Sequence, residues 1–409
     1  MDDFGGEGGR RALAWMVVAP LGLLVAGIVY LHPTLSAPAG RTLPGSTRLQ
    51  NAVPQFLDVS FGDANHGAVQ LFTPGSNPLR AIYLTADGGR TWRPVARRAY
   101  PISAVTYVGQ RQMLAEEAAG GTAALLISED DGRTWQPLAA DPRNLIAVGS
   151  WPVFLGSDGW WPELPPSGVQ SAQTSQPVRI WHTSDGGRTW ARLAASGIPQ
   201  PGGIGQVRFV DPRHGAGIAL TPDLRRLVLA TSDGGDSWRT AATFDPPLAS
   251  SRPWGLFLLQ HGTRLVVWLA ESASVQFPPR AGELFNLRTF SSVSDDGGGT
   301  WGPLRPGPVA IGSFGFTATI DDRDRLLYLD DHRLWISDDY GATWVARVAL
   351  VPHGLIPQRM AAVVPGAMYS LAVRQSDVPT LLPNSLVALL RSSDGGIHWT
   401  EVQLPRLPT

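Results

Sequence analysis

The 409-residue chain contains no cysteine. That removes disulfides, thiolate metal ligands, a cysteine nucleophile and a lipidated cysteine in one step. Lysine is absent too, so all 33 basic residues are arginine. A high-GC genome is the simplest account of that bias, and its by-product is a surface of flat guanidinium forks. The eight histidines are scattered without an H-x-x-x-H spacing, which argues against a structural zinc site. A formal net charge of -1 leaves no excess of cation to displace counterions, so no nucleic-acid partner is expected. No cofactor is expected either, and the core must hold by packing alone.

What is abundant is glycine, with 46 residues, and proline, with 35, in a chain that is 43% hydrophobic. That balance suits many short strands joined by tight turns. The length could hold two or three average domains, but all-β folds often run this far as one.

One long apolar run stands out. Arg10 and Arg11 precede Ala12–Leu31, twenty residues without a charge. As a helix at about 1.5 Å per residue it spans roughly 30 Å, the thickness of a bilayer core. Positive charge before the run predicts a cytoplasmic tail over 1–11, a transmembrane anchor over 12–31 and everything beyond on the extracytoplasmic, periplasmic side. Ala37-Pro38-Ala39 offers a competing reading as a signal-peptide cleavage site, although the run exceeds the usual signal length. Residues 32–50 read as a Pro/Gly/Ser-containing tether.

Beyond it the chain repeats one phrase, Ser/Thr-x-Asp-x-Gly-x-Thr-Trp. The seven copies hold Asp87 and Trp92, Asp130 and Trp135, Asp185 and Trp190, Asp233 and Trp238, Asp296 and Trp301, Asp339 and Trp344, and Asp394 and Trp399. Ser237 and His398 replace the Thr in the fourth and seventh copies. The Asp-to-Asp steps are 43, 55, 48, 63, 43 and 55 residues, the range of a propeller blade. Each copy follows a short β-type run such as Ala81–Thr85 or Arg333–Ser337, which makes it the turn between third and fourth strands. The expectation is an all-β, seven-bladed propeller over 51–409. The Asp would bind its own turn, Gly would accept positive φ, and Trp would wedge against the sheet. Seven identical catalytic centres in one ring make no chemical sense, so these residues are read as staples.

The phrase resembles the Asp-box, or bacterial neuraminidase repeat, of sialidases and sortilin-type receptors. Its density of one per blade, with Phe61–Val69 and Phe209–Ile218 as first hairpins, is most similar to the photosystem II stability and assembly factor family. The resemblance covers about residues 51–405 and implies a non-catalytic assembly subunit for a photosynthetic membrane complex. It fixes fold better than function. The alternative is a secreted sialidase-like hydrolase or glycan-binding protein, but an Arg-Ile-Pro or Arg-Leu-Pro motif ahead of the first box is missing. A carboxylate pair could still be drawn from Glu116, Glu117, Glu163, Glu271 or Glu283, each placed near a loop. Asp321-Asp322 and Asp330-Asp331 read as solvated turns.

The three longest insertions precede third strands, at about 157–178, 272–287 and 374–386, and so belong to one face, opposite the boxes. They carry Trp160 and Trp161, then Phe277, Arg280 and Phe285, then Leu381, among stiffening prolines. Aromatic, proline-stiffened loops bury area at low entropic cost, so these six residues are the candidate contacts to an integral membrane protein complex.

Overall fold

The computed structural model describes residues 55–405, apart from 73–79, 96–101, 110, 120–121, 139–151, 164–178, 200–202, 221–225, 245–251, 273–284, 313–317, 331–332 and 375–387. The expected tail, anchor and tether over 1–50 lie outside the described residues. Among the described residues no helix is long and apolar enough to cross a membrane.

Short runs of alternating apolar residues, closed by Gly- and Asp-rich turns, fold as antiparallel hairpins. Seven four-stranded sheets result, each built from strands contiguous in sequence. The expected propeller is the observed one, with blades over 55–94, 102–137, 153–192, 203–243, 252–312, 318–348 and 355–402. Every box is the turn between a third and a fourth strand, as in Arg226–Thr231 followed by Arg239–Thr243. Blade five is the tallest, with Arg252–His261, Arg264–Ser272, Phe285–Ser294 and Arg305–Gly312. Blade three starts on a strand of only three residues, Val153–Leu155.

The core lies between blades. Leu84 of blade one packs with Val105, Met113 and Leu126 of blade two, and Ala216 and Val228 of blade four pack with Leu256 and Val267 of blade five. The last seam joins blade seven to blade one through Val59, Leu71, Tyr369, Leu389 and Val402. Among the described residues no strand is exchanged to close the ring. Instead the Phe61 ring stacks on Tyr369 at 3.6 Å and 11°. The Tyr369 hydroxyl donates to the Ala64 carbonyl at 3.0 Å, and Trp92 Nε1 donates to the Gln403 carbonyl at 2.9 Å. Burying each such ring stabilises by about 1.5–3 kcal/mol relative to exposure, so the faces of the sheets close the circle and their edges do not.

First strands pack against neighbouring first strands around the central channel. In Gly203–Phe209 a bulge between Ile204 and Gln206 shifts the register by one residue. Because side chains alternate along a strand, that shift turns Val207 and Phe209 into the seam with blade three and puts Gln206, which accepts the Leu258 N–H of blade five, and Arg208 on the other face.

Candidate functional site

The seven boxes form the most regular polar arrangement in the ring. In each, the leading Ser or Thr hydroxyl donates to Oδ1 of the box Asp, as from Thr183 to Asp185 at 2.8 Å. The same hydroxyl accepts the backbone N–H four residues on, as from Gly187 at 3.0 Å. Oδ1 also accepts the N–H of the residue before Trp in every copy. The hydroxyl of that residue reaches Oδ2 in six copies, at 2.6 Å from Thr189 to Asp185. In the seventh, His398 Nδ1 takes its place at 2.5 Å from Asp394.

These bonds favour the ionised carboxylate. The hydroxyl and N–H of Thr189 hold the Asp185 carboxyl at about 2. Partial burial pushes Asp130 upward, but the Thr134 N–H and hydroxyl outweigh it and hold that carboxyl also at about 2. A carboxylate committed to its own turn with such a low pKa is a poor general acid or base at neutral pH. The staple reading matches this geometry.

The tryptophans follow the same local logic. Trp190, Trp238, Trp301 and Trp399 each donate Nε1 to the carbonyl of the second box glycine, at 2.8–3.0 Å. Trp92 reaches across the closing seam instead. A box also grips the first hairpin of its own blade: the Gly88 N–H donates to the Asn65 carbonyl, and the Gly234 N–H to the Arg213 carbonyl.

Those hairpins hold a motif that sequence reasoning quoted without assigning, Asp-x-x-His. Asp63 Oδ1 accepts the N–H groups of Asn65 and His66, and Oδ2 meets His66 Nδ1 at 2.8 Å. Asp211 and His214 repeat the arrangement in blade four. The sequence carries the signal as Asp-Ala-Asn-His and Asp-Pro-Arg-His.

The candidate contact residues fare unevenly. The insertion placed at 157–178 begins later, because Asp158–Glu163 is the second strand of blade three. Trp160 is fully buried, stacked on Phe209 at 3.7 Å with its Nε1 bonded to the Gly234 carbonyl at 2.8 Å. Trp161 is 5% exposed. Trp160 is corrected from a loop contact to a core residue of the seam between blades three and four, and Trp161, on the other face of the strand beside Trp190, to a buried strand residue of blade three. Two adjacent Trp beside Pro read as a loop, but both faces of a blade are covered by neighbours, so a strand of near-continuous apolar residues is equally at home there. Phe285 opens the third strand of blade five, paired with Gly312, and is corrected from loop to strand. Phe277, Arg280 and Leu381 lie outside the described residues.

The carboxylates offered for hydrolysis are also placed. Glu116 and Glu117 sit in Met113–Ala119, and Glu271 sits fully buried in Arg264–Ser272. All three belong to strands and not to loops. Glu163 ends a second strand, and Glu283 lies outside the described residues. Asp321 is no solvated turn: it is 2% exposed and accepts Arg325 Nε and Nη2 at 2.9 and 2.7 Å.

The three long insertions do occupy second-to-third connections, at 164–178, 273–284 and 375–387. In an antiparallel four-stranded blade these connections leave from the end opposite the boxes.

No family model matches the chain, and no curated protein matches it in sequence. Among solved structures it is similar to YCF48 bound to D1 peptide, at 18% identity over 79% of this chain and 92% of that one, with a TM-score of 0.46. YCF48 from Cyanidioschyzon merolae gives 18% identity, 78% and 93% coverage and a TM-score of 0.46. The GH93 α-L-arabinofuranosidase of Fusarium graminearum gives 10% identity, 79% and 94% coverage and a TM-score of 0.38. These are likenesses at low identity, and the reading of the site rests on its own geometry.

Proposed function

We propose that this chain is a non-catalytic assembly or structural subunit that binds an integral membrane protein complex. The anchor over 12–31 holds the propeller to the extracytoplasmic side of a bilayer, and the face opposite the boxes meets the partner. One observation carries this reading: the connections 164–178, 273–284 and 375–387 all leave second strands on that face. The box face, by contrast, commits its repeated carboxylates to its own turns. The sequence resemblance to assembly factors names a photosynthetic reaction-centre complex as the partner to test first.

The experiment is co-purification from native membranes after mild detergent extraction, with the wild-type chain and with 164–178 replaced by a short Gly/Ser linker. The wild type is expected to carry an integral membrane complex. The replacement is expected to lose it while melting at the same temperature. Retained binding overturns the proposed face, and a chain that elutes alone and cleaves glycosides overturns the function.

A further inference from the structure

Blade three enters the ring on Val153–Leu155, whereas the first strands of blades two and four, Ile102–Tyr107 and Gly203–Phe209, are twice as long or more. Beside that short strand lies a cavity of about 290 Å³, lined by Thr106, Val108, Pro152, Phe154, Arg208 and Gln260 among others. That is near the lower limit for a small-molecule site.

Among the described residues Arg208 is the only charged side chain lining this cavity. Several half-buried or buried arginines face carboxylates: Arg325 meets Asp321 at 2.7 Å, Arg264 meets Asp324 at 3.3 Å, and Arg226 feels the charge of Glu271. Arg208 instead donates Nη1 to the carbonyl of its neighbour Val207 at 2.8 Å. Among the described residues no Asp or Glu forms an ion pair with it. Desolvation lowers its pKa, with no carboxylate pulling it back. A guanidinium does not deprotonate in a protein, so it stays a cation with donors to spare. A desolvated, unbalanced cation costs free energy that an anion would recover.

The opposite wall is of another kind. Pro152 is buried, and Val108, Val153 and Phe154 add aliphatic and aromatic surface. Thr106 brings a hydroxyl, 3.2 Å from that of Ser60. A fully hydrated ion such as phosphate gains nothing from that wall. An anion carrying a compact apolar body gains from both sides.

We propose that the cavity beside Arg208 binds a small carboxylate with a compact apolar body. The carboxylate takes the free edge of the guanidinium, and the body lies against Pro152, Val153 and Phe154. This site is separate from the face proposed to meet a protein partner.

The test uses the full-length chain in a non-ionic detergent at fixed ionic strength, titrated calorimetrically with benzoate, its neutral isostere benzamide, and inorganic phosphate. Benzoate is expected to bind saturably at millimolar concentration, with benzamide and phosphate each weaker by roughly tenfold or more. R208Q is expected to bring benzoate down to the level of benzamide. R208K should fall between, because it keeps the charge and loses the fork. The anomalous signal of 4-bromobenzoate in wild-type crystals should lie in this cavity, an outcome that needs no variant to fold. Equal binding of benzoate and benzamide, equal binding of phosphate, no saturation by benzoate, or bromine located elsewhere would overturn the proposal.

Discussion

The seam between blades one and two and the seam between blades six and seven use the same box position in opposite ways. In blade seven it is Gly395, at φ 78°, and a Cβ there would find only Arg325 Nη2, at 4.0 Å. In blade two it is Asp131, at φ 58° and 4% exposed, with Oδ2 bonded to Arg111 Nε at 2.8 Å and 4.0 Å from His66 Nε2. Blade six makes a third choice, Tyr340 at φ 54°, with the Arg264 guanidinium 4.4 Å over its ring. The position is thus a socket, and side chains from the preceding blade's first hairpin, His66 and Arg264, reach over it when it is filled. The next residue is different. It is glycine in all seven boxes, at φ between 70° and 102°. There a Cβ would lie 2.6 Å from Leu334 in blade seven and 2.7 Å from Ala216 in blade five. In blade seven two adjacent glycines that look alike in sequence therefore answer to different constraints, one to backbone conformation alone and the other to conformation and contact together. In blades one, four and five, by contrast, a Cβ at the first glycine would also meet its own blade or the preceding one, at 2.8–3.0 Å.

The largest test of that contrast compares neighbours in one turn. Gly396→Ala forces a Cβ into the seam between blades six and seven at a positive φ, and should cost about 3 kcal/mol or more. Gly395→Asn enters the open socket in a conformation that Asn tolerates, and should cost less than about 1 kcal/mol. Denaturant midpoints of the two variants decide it, and equal losses would sink the distinction.

A middle-sized effect isolates the turn carboxylates from the socket. Asp185→Ala removes the partner of the Thr183 and Thr189 hydroxyls and of the Thr189 N–H; with water partly compensating, the expected loss is about 2 kcal/mol. The pH dependence has a definite sign. The folded carboxyl titrates at about 2 against an ordinary 3.8, so its contribution is whole above pH 3.8 and is lost as pH falls toward 2. Asp130, Asp233 and Asp394 share the value, so melting temperature should be flat near neutrality and drop below about pH 4. Asp185→Asn should make that drop shallower. A wild-type curve without it would refute the staple.

The ring and its seven turns were legible in the sequence because the box is local: hydroxyl, carboxylate and glycine sit within a few residues and satisfy one another. The socket was not. Asp131 and Tyr340 fall at a variable position of the motif, and the side chains that reach over them from a blade away, His66 and Arg264, have no fixed spacing to it. Trp160 and Trp161 failed for a related reason. Aromatic residues beside Pro162 fit a protruding loop or a covered strand equally well, and only the packing of Trp160 on Phe209 across the seam and of Trp161 on Trp190 separates the two. Arg208 escaped notice because one bulge decides which face of its strand it takes. Local chemistry was readable, and contacts between blades were not.

The smallest effect separates the two filled sockets from each other. Across the seam of blades five and six, the cycle of Arg264→Ala with Tyr340→Gly should give a coupling of about 0.5–1 kcal/mol, the range of a cation over an aromatic face. The cycle of Arg111→Ala with Asp131→Gly should give no more than about 1 kcal/mol, because Arg111 is largely exposed and its ion pair is screened. Salt distinguishes the mechanisms. Near 1 M ionic strength, where screening acts within about 3 Å, the Asp131 coupling should shrink toward zero. The Tyr340 coupling should persist, because Arg264 rests on a buried ring and the contact is partly dispersion. If both couplings fade together, the aromatic socket is held by Asp295 and Asp324, which bond Arg264 at 2.5 and 3.3 Å, and Tyr340 fills space without recognising the cation.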